Sequence, residues 1–195
     1  MRMQGQLDTA LDVLGRWQAE QVAEALYDEP IDAIVSSDLL RAMHTATPLA
    51  RRRGLPVRPD AALRERAFGV FQGFTYAHIG KHWPDGTARW RARDPQFAPA
   101  GGETLDDFNT RCIAAAQRLA HEFAGRSVVW VTHGGVLDCL HRAAMRVPLD
   151  ASRSWALDNA SINRLLLTDQ GLMLVGWGDV RHLDAQVPAL QSGDT

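Results

Sequence analysis

The chain has 195 residues, of which 46% are hydrophobic and 23% charged, with a formal net charge of −2. This ordinary globular usage excludes disorder, collagen-like repeats and coiled coils. A near-neutral balance gives no global basic field for nucleic acid, so any anion site is local. Two cysteines, Cys112 and Cys139, are too few for a disulfide framework, no apolar run approaches a membrane span, and the first residues lack the apolar core of a secretory signal. The expectation is a cytoplasmic, soluble single domain over 1–195, without membrane or nucleic-acid partners.

Taken in chain order, Leu14 to Leu26 repeats at helical spacing, with Trp17, Val22, Ala25 and Leu26 as its apolar face. Ile31 to Val35 is a short β-branched run that predicts a buried strand. Ser36-Ser37-Asp38 supplies N-cap residue types for a helix from Leu39 to Arg53, closed by Gly54, with Pro48 as a kink or a late start. Val57 marks another short strand. Residues 63 to 103 are irregular, rich in glycine and proline, and read as an excursion with one or two short helices at about 70–100 over one end of the domain. Phe68, Phe71, Phe74, Trp83 and Trp90 make it too aromatic for a solvated linker. Thr104 caps a strong helix bearing Phe108, Cys112, Ala116, Leu119 and Phe123, with Asp107 completing an approximate capping box. Ser127 to Thr132 is the clearest buried strand, Val136 to Met145 a helix, and Ile162–Thr168 with Leu172–Trp177 a hairpin around Asp169-Gln170-Gly171. The tail after Leu183 reads as loose. The alternation predicts an α/β fold, a three-layer sandwich with a mostly parallel sheet and helices on both faces. Sites in such sheets gather at the carboxyl ends of strands, which singles out Ser36-Ser37-Asp38, the region of Glu65, and His133-Gly134-Gly135.

His133 is the sharpest candidate, because it follows an apolar strand and precedes two glycines that open a helix. A helix start offers unpaired N–H groups to an anion, and a histidine there serves as a cation or as an acid or base. Arg41 stands in the first turn after Ser36-Ser37-Asp38, where a guanidinium matches phosphate; taken alone, a solvated helix arginine is the simpler reading. Glu65, between Arg64 and Arg66, is either a surface ion-pair member or a general acid pointed into a pocket. Glu103 reads as favourable charge at a helix start, and Asn159 and Ser161 as turn formers. The other histidines show no metal-ligand spacing, Cys139 reads as core, and the six tryptophans read as packing.

These clusters, in order, resemble the histidine phosphatase (phosphoglycerate mutase-like) superfamily. The carrying segments are Gln4-Gly5-Gln6-Leu7-Asp8, Ser36-Ser37-Asp38-Leu39-Leu40-Arg41-Ala42, Leu63-Arg64-Glu65-Arg66-Ala67-Phe68-Gly69, Gly101-Gly102-Glu103-Thr104, Val131-Thr132-His133-Gly134-Gly135, Asn159-Ala160-Ser161-Ile162 and Gly178-Asp179-Val180-Arg181-His182-Leu183. The resemblance implies a phosphomonoester hydrolase with a phosphohistidine mechanism. In it Arg41 clamps the phosphoryl group, Glu65 protonates the leaving alkoxide, and His133 stabilises charge on the phosphoryl oxygens. Gln4, Gly5 and Gly134 line the phosphate pocket. No metal and no cofactor is implied; the expected partner is a small phosphorylated metabolite, with a homodimer as one possible assembly.

The family's nucleophile is the histidine of an Arg-His-Gly motif at the end of a first, central strand, and that motif occurs nowhere in the 195 residues. The expectation is therefore a sheet without that strand and a chain of weak or no activity as given. A misassigned or truncated start is favoured over a natural non-catalytic binding module. The arginines of the excursion, Arg89, Arg91 and Arg93, are not adjacent, which favours a phosphatase over the family's mutases.

Overall fold

The computed structural model describes residues 2–168 and 171–184. In chain order its elements are α1 (Val13–Ala25), β1 (Ala33–Ser36), α2 (Leu40–Arg53), β2 (Val57–Pro59), α3 (Tyr76–His82), α4 (Pro84–Arg91), α5 (Leu105–Glu122), β3 (Val128–Val131), α6 (Gly134–Met145), β4 (Ile162–Thr168) and β5 (Gly171–Asp179). The predicted order of elements holds throughout. The tip of the predicted hairpin, at 169–170, and the tail from 185 lie outside the described residues.

Three parallel strands pair in the order β2-β1-β3, with Ile34 opposite both Val57 and Val129. Alternation along these strands sends side chains to two faces. Ile34, Val129 and Val131 pack with Ala23, Leu26, Ala46 and Leu49 of the α1–α2 layer. Val35, Val128 and Trp130 pack with Leu63, Ala115 and Leu119 on the α5 side. α6 joins that layer through Phe108, Cys112, Val136, Cys139 and Leu140, against Leu165 and Leu172 of the hairpin. This is the expected three-layer α/β sandwich. The strands do not form one continuous sheet among the described residues: β4 pairs antiparallel with β5 as a separate two-stranded unit. Among the described residues no helix is long and apolar enough to cross a membrane.

Three local expectations need correction. The fully buried line of α1 is Ala19, Ala23 and Leu26; Trp17 and Val22 of the predicted face are half-buried, Val22 against the same core, and Ala25 is exposed. Small side chains at helical spacing let α1 lie close to Ala46 and Ala50 of α2, and close packing decides the face over side-chain size. Ser36-Ser37-Asp38 does not cap α2: its N-cap is Leu39, and the Leu40 amide is taken by Asp8 from the N-terminal segment at 2.7 Å. Pro48 does not break α2, which runs on to an αL Gly54. The carbonyl of His44, deprived of its donor by Pro48, belongs to an exposed residue.

The excursion packs a small core of its own. Met3, Phe71, Ile79 and Phe97 are buried together with Phe68, Trp83 and Trp90 around them. Phe68 meets Trp90 edge-on at 4.9 Å between ring centroids, and Phe71 lies 5.6 Å from Trp83. Gly69 seams this core to the Gly101-Gly102 turn. It has φ +47°, and a Cβ there would lie 2.1 Å from the Ala100 carbonyl oxygen. Gly69→Ala combines a left-handed backbone with a steric clash, so we expect a loss of about 2–4 kcal/mol in urea unfolding; an unchanged midpoint would contradict this reading of the seam.

Candidate active site

The three parallel strands end on the same side and deliver three segments there. β1 leads into Ser37 and Arg41, β2 into the loop bearing Glu65, and β3 into His133 and the start of α6. The amide of Ser37 donates to Val131 O at 2.9 Å, and that of Asp60 to Ser36 O at 2.7 Å, so the ladder continues to the rim of the site. Arg41, Glu65 and His133 gather close enough for their charges to act on one another.

Glu65 is the centre of the arrangement. Its Oε1 accepts from the Arg66 amide at 2.7 Å, and its Oε2 from the Gly135 amide at 3.0 Å. The second donor is one of the unpaired N–H groups at the start of α6. A Cβ on Gly135 would sit 2.1 Å from Glu65 Oε1, so only glycine admits the carboxyl there. Burial raises the Glu65 pKa, opposed by the two amides and by the fields of Arg41 and Arg111. A carboxyl held up in this way is the form a general acid needs.

His133 is the N-cap residue of α6 in extended conformation, and it is buried. Its Nε2 lies 2.8 Å from Ser37 Oγ. Burial, with Arg41 and Arg111 nearby, lowers its pKa to about 3. The imidazole is thus neutral in the empty site, and a bound dianion would shift it toward the charged form. Arg41 spans from α2 to the N-terminal segment, donating to Gly5 O at 2.7 Å and Leu7 O at 2.9 Å. Burial lowers its pKa, against Glu65 and Asp8, but a guanidinium stays charged in proteins. Arg41 thus keeps a positive charge beside a neutral His133 and a Glu65 shifted toward its neutral form, with Asp8 acting on it as well.

Gly5 is buried at φ +55°, tied to Arg41 through its carbonyl. Gln4 is exposed, and its carbonyl accepts from the Leu7 amide at 3.0 Å. Gly134, exposed at the first position of α6, has open space where a Cβ would be. All six residues named from the sequence therefore lie on the three converging segments or on the N-terminal segment bonded to them.

The sequence reading missed several partners. Ser37 appeared as a cap residue but faces His133. Asp38 appeared in the same role but makes a bidentate pair with Arg64 at 2.6 Å. Gln6 donates to Glu65 O at 3.0 Å, and its own amide donates to Gln72 Oε1 at 2.9 Å. Glu103 is not a helix-terminal charge: Thr104 caps α5, and the Glu103 carboxylate turns to Arg111 and the Ala67 amide. Arg111 carried no signal beyond standing beside the apolar stripe of an amphipathic helix. Among the described residues no group of three or more metal-ligating side chains gathers.

Comparison with known proteins gives the family. The family model of the histidine phosphatase superfamily (branch 1) matches residues 1–180. The chain belongs to the histidine phosphatase superfamily. It is 40% identical over 197 residues to phosphoglycerate mutase-like protein 4 of Arabidopsis thaliana, covering 98% of this chain and 84% of that one. It is 43% identical over 156 residues to glucosyl-3-phosphoglycerate phosphatase of Mycobacterium tuberculosis, covering 76% and 70%. Among solved structures, YhfR of Bacillus stearothermophilus superposes with a TM-score of 0.86 at 31% identity, covering 93% of this chain and 91% of that one.

Two outcomes follow for this candidate site. Gly135→Ala pushes the Glu65 carboxyl out of its cradle and should cost about 1–3 kcal/mol of stability by overpacking; a variant as stable as the parent, with Glu65 still titrating high, would refute the close fit. In NMR titration the His133 imidazole should stay neutral well below pH 5, and saturating inorganic phosphate should raise its midpoint. Since its folded pKa lies below that of the unfolded chain, His133 withdraws stability as pH falls below about 6.5, by at most about 1.4 kcal/mol per pH unit. A midpoint near 6.5 without phosphate would refute the buried neutral state.

Proposed function

We propose that the site is a phosphomonoesterase centre of the phosphohistidine type, in which Arg41, Glu65 and His133 handle the phosphoryl group and the leaving alcohol. The observation that carries this reading is the half-buried Glu65, its carboxyl held by the Arg66 and Gly135 amides beside the Arg41 guanidinium. Phosphoryl transfer needs positive charge on the equatorial oxygens and a proton for the leaving oxygen more than it needs covalent chemistry from the surroundings.

In the reaction a histidine nitrogen attacks phosphorus, the ester P–O bond breaks, and Glu65 gives its proton to the departing alkoxide. Water then attacks the phosphohistidine, passing a proton to the Glu65 carboxylate, and inorganic phosphate leaves. Arg41 pairs with two phosphoryl oxygens, and His133 meets the growing charge as its own pKa rises. Gln4 and Gly5 line the pocket, and Gly134 offers its amide at the start of α6. The nucleophile of the Arg-His-Gly motif is not among the 195 residues, so these residues supply the acid and the anion clamp and, by themselves, little or no turnover.

The substrate class is a small phosphorylated metabolite, which suits a relative named as glucosyl-3-phosphoglycerate phosphatase. In the excursion Arg89 is paired with Asp94 at 2.7 Å and Arg93 with Asp138 at 2.8 Å. Two of its three arginines are thereby engaged internally, which favours hydrolysis over transfer between hydroxyls of a bound phosphoglycerate.

The test pairs binding with turnover. Calorimetry with orthovanadate or inorganic phosphate should show binding to the 195-residue chain that Arg41→Ala weakens by about 10-fold or more. Hydrolysis of p-nitrophenyl phosphate should stay near the level of Arg41→Ala. Equal anion affinity in the two proteins would overturn the site, and robust hydrolysis abolished by Arg41→Ala would overturn the claim of low turnover.

A further inference from the structure

The loop that carries Glu65 belongs to no strand, and beyond the short 3₁₀ turn at Ala61–Leu63 it belongs to no helix. Its backbone groups between 62 and 68 are taken instead by side chains from distant parts of the chain. Thr132 Oγ1 donates to Leu63 O at 2.8 Å, and Gln6 donates to Glu65 O. Gln72 accepts from the Phe68 amide at 3.2 Å. The largest share falls to two residues, Arg111 and Glu103.

Arg111 Nη1 donates to both Ala62 O and Arg64 O at 2.9 Å, and Nη2 reaches Glu65 O at 3.4 Å. The other edge of the same guanidinium makes a bidentate pair with Glu103, through Nε at 2.9 Å and Nη2 at 2.8 Å. Glu103 Oε2 accepts from the Ala67 amide at 2.8 Å, and the Glu103 amide donates to Ala67 O at 2.9 Å. Two residues thus read three carbonyls before the loop's turn and both polar groups of Ala67 after it. The guanidinium lies over the Phe108 ring, 5.0 Å from its centroid, and the same ring borders Gly135.

We propose that Arg111 and Glu103 are a positioning pair for the proton donor: they template the 62–67 backbone and so aim the Glu65 carboxyl at the Gly135 amide. The inference rests on the reading of Glu65 as that donor. A planar fork with five N–H groups meets the carbonyls on one edge and the carboxylate on the other at once, which a lysine ammonium does not. Thr132 and Gln6 keep the loop tethered when the pair is weakened, so the effect concentrates on the Glu65 side chain rather than on folding.

The test follows the Glu65 carboxyl itself, by carbon-13 NMR titration in the 195-residue chain, with Arg111→Lys, Glu103→Gln and, as a control remote from the loop, Arg52→Lys. In the first two variants the Glu65 midpoint should fall toward the ordinary carboxylate range as water reaches the loosened side chain. The Arg66 and Gly135 amides should exchange about 10-fold faster. The double variant should go little further than Arg111→Lys, since the pair acts as a unit. Arg52→Lys should change neither quantity. Folded variants whose Glu65 titration and amide exchange match the parent would overturn the proposal, whatever happens to their thermal midpoints. If Arg111→Lys does not fold, Glu103→Gln, isosteric and still able to accept from the Ala67 amide, carries the same test. Orthovanadate affinity, compared with Arg41→Ala, tests the function separately. Failure there leaves the titration result standing, and a null titration leaves the anion site standing.

Discussion

The structure turns on one carboxyl held by two backbone amides. Glu65 sits where β2 hands the chain to the excursion, and its two oxygens rest on one amide from its own loop and one from the first turn of α6. That second bond requires α6 to start at Gly134 rather than at Val136, and it requires a glycine at 135. It also requires α5 to bring Arg111 beneath the loop while Phe108 supports both the guanidinium and the helix start. The packing of the α5–α6 layer and the seat of the carboxyl are therefore linked: Phe108, buried with Cys112 and Val136, borders the same Gly135 that holds Glu65.

The electrostatics follow from the same burial. An acid held toward its neutral form and a histidine held neutral would each be costly alone, since both resist the charge they carry freely in water. Arg41 stands beside both, with Asp8 near enough to act on its charge. Burial thus shifts Glu65 toward its protonated form and holds His133 neutral.

Much of this was legible in the sequence because hydrophobic period and glycine punctuation are local. Val128 to Val131 followed by His133-Gly134-Gly135 declared a strand, a site and a helix within a few residues. What escaped was long-range. Ser37 and Asp38 look like cap residues in a window of three, and only the folded chain shows that Asp8 takes the capping role while they turn to His133 and Arg64. Glu103 and Arg111 are two helical turns apart and look like routine surface charges. Their shared target is a backbone about 40 residues away, which no periodicity encodes. In α1 the two most buried positions are alanines, Ala19 and Ala23, which a rule that looks for large apolar residues passes over.

The private aromatic core of the excursion has a consequence for the history of such proteins. Phe71, Trp83, Trp90 and Phe97 bury one another and rest on Met3, so the segment keeps its shape through its own contacts. Side chains on its outer rim, such as Tyr76 and Arg91, are exposed and tolerate exchange at little energetic cost. Substitutions can therefore accumulate at that rim while the aromatic packing beneath it stays as it is.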